Sequence, residues 1–243
     1  MKALVEPISV IDRSPRRNPA SASILLNALF PLYARATEMR MRGDPSLLLP
    51  EEARHLGAAA ENRAREFTAG RLCARRALAE SGAPDGPLKV GNDRLPSWPS
   101  GFTGSITHAE GFCGAVVAKR RDARALGLDA EVIAQVSSEI WPEILTAIET
   151  GWIKTLPPEQ QLGAAALMFS AKEAFFKCQY AVTGEWLDFQ AVAIGLSRGN
   201  LFAGQFAVYP LIKMAILDHY ASPLLGRFGF AGRLVFTGMA FDA

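Results

Sequence analysis

The sequence predicts an α+β protein made of two similar halves that meet near residue 121, and three observations lead there. First, a helical stretch followed by short strands occurs before residue 121 and again after it. Second, the period changes between the two kinds of segment: apolar residues recur at helical spacing in ENRAREFTAGRLCARRALAE, whereas GSITH, GFCGAVVAKR and ALGLDAEVI partly alternate at period two. Third, 243 residues of which 49% are hydrophobic and 21% charged can bury a real core, at a size between one large domain and two small ones. No residue-level repeat links the halves.

In chain order, SPRRNPASAS is a turn-rich lead-in, and LLLPEEARHLGAA restarts the chain as a helix at Pro50. Residues Glu61 to Glu80 form a helix whose stripe of Phe67, Ala74 and Leu78 is interrupted by Arg71, and SGAPDGP ends it. RLPSWP reads as a rigid turn, its prolines fixing φ and Trp98 packing on a neighbour. GSITH and GFCGAVVAKR form a strand pair, and ALGLDAEVI follows the charged turn KRRDAR as another strand. The second half gives helices around 136 to 150 and 158 to 181, and strands around 189 to 196, 201 to 209 and 233 to 241.

Two constellations bear on chemistry. In FSAKEAFFK, residues 169 to 177, a turn of about 100° per residue puts Leu162, Ala166, Phe169, Phe176 and Tyr180 on one seam with Glu173 in its middle and Lys172 and Lys177 at its flanks. The rest of the circumference is uncharged, so this arc faces either water or something charged. In ALGLDAEVI, Asp129 and Glu131 share one strand face about 7 Å apart, close enough to share a hard cation such as Mg²⁺. The solvated face of an amphipathic strand has the same pattern, and a surface Glu173–Lys177 pair at i, i+4 would equally explain the helix.

The five arginines between positions 63 and 76 fit a solvated helix face, but Arg71 within the apolar stripe is expensive to bury without an anion. His108 ends a strand beside Thr107, with no serine–histidine–aspartate arrangement in view. A net charge of +2 and no aromatic platform argue against a nucleic-acid binder. Cys73, Cys113 and Cys178 form neither a disulfide framework nor a zinc motif, which fits a reduced, cytoplasmic setting. No run approaches the roughly 18 to 20 apolar residues of a membrane span, and the first residues lack the apolar core of a signal peptide.

Taken in order, EFTAGRLCARRAL, RLPSWP, GSITH, GLDAE and FSAKEAFFK, followed by WLDFQ, resemble the 4'-phosphopantetheinyl transferases, specifically the enterobactin-synthetase-like subgroup of the surfactin-type superfamily. The resemblance spans about residues 61 to 190. Thr107 stands where such proteins usually carry Ser, Phe169 where Trp is frequent, Cys178 where Ala is frequent, and Ala130 where Ile or Val is usual.

The resemblance implies a fold of two pseudo-symmetric α+β halves, residues 1–121 and 122–243, each a small antiparallel sheet packed with helices, with a ligand cleft between them. It implies a monomer that transfers 4'-phosphopantetheine from coenzyme A to a serine of an apo acyl- or peptidyl-carrier protein, releasing 3',5'-ADP. Asp129, Glu131 and Glu173 would hold Mg²⁺, with Mn²⁺ as an alternative. Lys172 and Lys177 would neutralise the pyrophosphate, Thr107 and His108 would hydrogen-bond phosphates, and Arg71 with Arg63 or Arg65 would hold the 3'-phosphate. Glu173, or a water beside it, is the candidate base. A magnesium-dependent phosphohydrolase and a non-catalytic module binding coenzyme A or a carrier protein are the alternatives, and neither nucleic acid nor membrane is an expected partner.

Overall fold

The computed structural model describes residues 22–40, 43–56, 60–91, 95–196 and 203–243, so most of the lead-in SPRRNPASAS, Arg94 of RLPSWP and the start of the strand expected at 201 lie outside the described residues. The first part of the chain contributes α1 (Ala22–Ala28), β1 (Arg35–Met39), α2 (Pro50–Ala53) and α3 (Glu61–Glu80). It continues with the short pair β2 (Lys89–Val90) and β3 (Pro96–Ser97), then β4 (Phe102–Ala109) and β5 (Phe112–Lys119). Strands β1, β5 and β4 make an antiparallel three-stranded sheet in that order. Helix α3 covers it, burying Ala69, Cys73, Ala74, Ala77 and Leu78 against Phe102, Ala115 and Val117. Trp98 packs against Gly104 of β4, where an added Cβ would lie 2.7 Å from its ring.

After the turn at 120–122 come β6 (Ala123–Val132), α4 (Trp141–Ile144), α5 (Ala147–Ile153) and α6 (Pro158–Thr183). Strands β7 (Val192–Leu196), β8 (Ala203–Pro210), β9 (Leu224–Ala231) and β10 (Leu234–Asp242) complete an antiparallel five-stranded sheet in the order β6-β10-β9-β8-β7. The single helix expected over 136–150 is two short ones. Leu145 between them is extended (φ −112°, ψ 141°), and Thr146 starts α5 afresh by accepting from the Glu149 N–H. Helix α6 starts at Pro158, is apolar on most sides and stops at Gly184 in the left-handed region (φ 65°), as a helix buried in a core and closed by a glycine cap does.

Two contacts set the relation of α6, β4 and β6. At Gly127 of β6 a Cβ would sit 1.9 Å from the Ala174 carbonyl oxygen, so the absence of a side chain there lets α6 lie directly on the strand. On its other edge β6 meets β4 outside any ladder: the Leu128 N–H donates to Ser105 Oγ (3.1 Å) and the Ala130 N–H to Thr107 Oγ1 (3.1 Å). Side-chain hydroxyls thus take the place of strand carbonyls where the two sheets touch.

Candidate active site

The close approach at Gly127 lays the acidic arc of α6 over the acidic face of β6. Asp129 is 3% exposed and accepts on both oxygens: Oδ1 takes Lys177 Nζ at 2.6 Å and Thr107 Oγ1 at 3.3 Å, and Oδ2 takes Ser170 Oγ at 2.8 Å. Lys177 Nζ also donates to the Leu128 carbonyl at 3.2 Å, and its side chain keeps 29% exposure. Burial pulls the Lys177 ammonium down, but Asp129, Glu173 and Glu131 outweigh it and hold the pKa above the usual lysine value.

Glu131 and Glu173 are half-buried and accept no hydrogen bond or ion pair among the described residues. Burial first, then the negative charge of Asp129, pushes the Glu131 carboxyl up to about 7 and raises Glu173 as well. Among the described residues no three histidine, cysteine or acidic side chains form a ready-made ligand cage. Two carboxylates without a hydrogen-bond partner, offset only by the nearby charge of Lys177 and set beside a third carboxylate, nevertheless suit a hard oxygen-seeking cation that draws further ligands from phosphate and water.

Lys172 departs from its expected place. It is 2% exposed and its ammonium donates to the Ile144 carbonyl (3.0 Å), Glu149 Oε2 (2.7 Å) and the Phe189 carbonyl (2.8 Å). All three protons are engaged inside the protein, although the side chain lines the hollow beside Glu173; Lys177 is the lysine that pairs with the carboxylate floor.

On the β4 side, Arg63 Nη1 lies 3.4 Å from His108 Nε2, and both approach Glu66 at 3.7 Å. Burial lowers the His108 pKa, with Arg63 pressing the same way and Glu66 opposing it. Arg65 points elsewhere and pairs with Glu61 at 2.7 Å, so Arg63 is the arginine that joins His108. Arg71 is 5% exposed, its guanidinium 4.3 Å above the Phe67 ring and its Nε without a partner among the described residues. Desolvation lowers its pKa, with the buried Glu52 carboxylate opposing and Arg63 adding to the effect. The Thr107 hydroxyl, expected on a phosphate, instead gives its proton to Asp129 and accepts from Ala130 N–H, which makes it a joint between the sheets.

Two hollows adjoin this floor. One of about 250 Å³ lies against Glu173, its walls mostly apolar (Phe175, Phe176, Trp186, Leu187 and Phe189) with Lys172 and Asp188 also lining it. A cleft of about 820 Å³ runs from Lys177 along β4 to Trp98 and Arg120, with Phe176 and Tyr180 opposite.

Residue-level reading of the sequence missed Ser170, Glu149 and Glu52. Glu149 is 2% exposed and receives Lys172, the Thr146 N–H and hydroxyl, and the Ile194 N–H. Glu52 is fully buried, accepting from the Leu49 and Leu88 N–H groups. The one available signal was the spacing of Thr146 and Glu149, a capping box.

A mixed carboxylate and ammonium floor between two small antiparallel sheets, with the buried Arg71 and the exposed Arg63 and His108 beyond it, suits the binding of phosphate groups. Family models agree: one described as the 4'-phosphopantetheinyl transferase N-terminal domain matches residues 51–118, and one described as the 4'-phosphopantetheinyl transferase superfamily matches residues 125–214. The chain is 37% identical over 226 residues to the 4'-phosphopantetheinyl transferase Svp of Streptomyces mobaraensis, covering 90% of each. It is 33% identical over 223 residues to 4'-phosphopantetheinyl transferase PptT of Mycobacterium tuberculosis, covering 90% of this chain and 96% of that one. Enterobactin synthase component D of Escherichia coli O157:H7 is 35% identical over 182 residues, 71% of this chain and 85% of that one. The chain belongs to the 4'-phosphopantetheinyl transferase superfamily.

Proposed function

We propose that the transfer of 4'-phosphopantetheine from coenzyme A to a carrier-protein serine takes place on the floor formed by Asp129, Glu131, Glu173 and Lys177. The observation that carries this reading is the pair of carboxylates without hydrogen-bond partners, Glu131 and Glu173, held beside the Asp129–Lys177 ion pair. Asp129, Glu131 and Glu173 would hold a magnesium ion, which when bound neutralises charge on the pyrophosphate oxygens. Arg71 and Arg63 hold the 3'-phosphate of the nucleotide and His108 a phosphate oxygen, while the apolar hollow beside Glu173 has room for the uncharged pantetheine arm.

The serine oxygen attacks the β-phosphorus, the bond from that phosphorus to the bridging oxygen breaks, and 3',5'-ADP leaves. Glu173, or a water beside it, takes the serine proton; burial raises the pKa of the carboxyl, which makes it a better proton acceptor than an exposed glutamate. Lys177 meets negative charge that grows on the departing phosphate. Residues 1–121 and 122–243 are the two halves that bound the cleft. The protein is taken to act as a monomer, and three buried free cysteines suit a reducing cytoplasm.

The test is to incubate the protein with Mg²⁺, coenzyme A and several apo-carrier proteins and to weigh the carriers. Because one relative is named for enterobactin synthesis, peptidyl carriers of a siderophore assembly line are the first acceptors to try. A mass gain of one phosphopantetheine on the acceptor serine is expected. Coenzyme A cleaved without any carrier, or no gain on any carrier, contradicts the proposal.

A further inference from the structure

Asp129 is fixed from the side away from the cleft by a chain of hydroxyls that no step of the reaction uses. Thr237 on β10 is the cross-strand neighbour of Asp129, and Ser170 lies one turn before Glu173 on α6. Ser170 Oγ is 2.8 Å from Asp129 Oδ2 and 2.8 Å from Thr237 Oγ1, and Thr237 Oγ1 is also 2.8 Å from the Ser170 carbonyl. Ser170 and Thr237 are both fully buried, so no solvent competes.

Proton counting gives this chain a direction. Each hydroxyl has one proton, and an ionised Asp129 can only accept. The Ser170 proton therefore goes to Asp129, and the Thr237 proton is left to Ser170, shared between its hydroxyl and its carbonyl. The same two residues thus hold the carboxylate of Asp129 on β6 and the turn of α6 that carries Glu173. Resting on the proposed site, we infer that Ser170 and Thr237 are positioning residues that set the spacing of Asp129 and Glu173, and with it the affinity of the carboxylate floor for a divalent cation. Neither touches substrate.

The probe is Mn²⁺, titrated into the full chain without coenzyme A and followed by electron paramagnetic resonance. Ser170→Cys, nearly isosteric but a weak donor, should bind Mn²⁺ on the order of tenfold more weakly, the low end of what losing a ligand's outer hydrogen bond costs. Thr237→Val should weaken it in the same sense, and Thr237→Ser, which keeps the hydroxyl, should restore it. Coenzyme A binding without a divalent cation should stay within about twofold of wild type in all three, which a general loosening of the fold would not allow. Unchanged Mn²⁺ affinity in a folded Ser170→Cys protein overturns the inference. If that variant does not fold, the Thr237 pair decides, and equal affinities for Val and Ser overturn it. Asp129→Asn is the control: a loss there with none in Ser170→Cys sinks the positioning role alone, whereas no loss in either removes Asp129 from the site and the inference with it.

Discussion

Lys177 reaches from α6 to β6 and sets its ammonium 2.6 Å from Asp129 Oδ1, joining the helix to the acidic strand at the floor of the cleft. The carboxylates around it keep it charged against the pull of burial. A charge so placed meets the phosphate more strongly as the bond to 3',5'-ADP breaks. Lys177→Met should therefore lower kcat and kcat/KM together, on the order of 10²-fold, in steady-state kinetics with an apo-carrier. An unchanged kcat with a raised KM for coenzyme A would make Lys177 an anchor for the ligand only.

Lys172 should behave differently, because its ammonium is locked onto Glu149, Ile144 and Phe189. Removing one partner of a buried pair strands the other, so Lys172→Met should cost about 3 kcal/mol or more in urea unfolding. Glu149→Gln combined with Lys172→Met should recover only part of that, since the amide oxygen can serve the Ile194 N–H but the amide NH2 then faces the Thr146 N–H. Where the single variant folds, its affinity for coenzyme A should match wild type; a selective loss of binding would return Lys172 to the ligand site.

The raised pKa of Glu131 gives a pH signature. Its folded value near 7 lies above the ordinary glutamate value of 4.5, so the folded state binds this proton more tightly. The resulting stability is fully present below 4.5 and is lost as pH rises through about 7. Glu131→Gln, permanently neutral, should gain stability relative to wild type across that window when both are unfolded in EDTA. Mg²⁺ should bind wild type more tightly over the same rise in pH, because the cation needs the ionised carboxylate. A flat difference between the two proteins from pH 5 to about 8 contradicts the assignment.

Arg71, buried with an unpartnered Nε, should discriminate between ligands. Arg71→Ala should weaken coenzyme A binding by about 10-fold or more, the worth of a charge-assisted hydrogen bond, and dephospho-coenzyme A by much less. Calorimetry with both ligands measures the difference, and equal losses would exclude contact with the 3'-phosphate.

What the sequence revealed and what it hid divide along the range of the interactions. Helix α3 has its ends in local signals, the SGAPDGP stop above all, and Asp129 and Glu131 share a face through the period of the strand itself. Strand β1, RATEM, escaped because it is short and half polar, and β9, LLGRFGFA, because Gly226 and Gly229 dilute its alternation. The helical wheel put Lys172 and Lys177 on flanks of one seam, but it carries no information about what folds over each flank. Lys172 is covered by the end of α4 at Ile144 and by the short 3-10 turn that begins at Phe189, and its partner Glu149 lies 23 positions away. Thr107 and Ser170 were hidden for the same reason: their hydroxyls act on Asp129, 22 and 41 positions distant.

The most direct test of the carboxylate floor is Glu173→Gln, which keeps the shape of the side chain and removes its charge and its capacity to accept a proton. Transfer to an apo-carrier should be followed by mass at saturating Mg²⁺ and coenzyme A, beside the thermal melt of the same protein. The account predicts an unaltered fold with the rate down on the order of 10³-fold, within the range for loss of a general base. A rate within about threefold of wild type would contradict it, because a site that works without the Glu173 carboxylate is not the one proposed here.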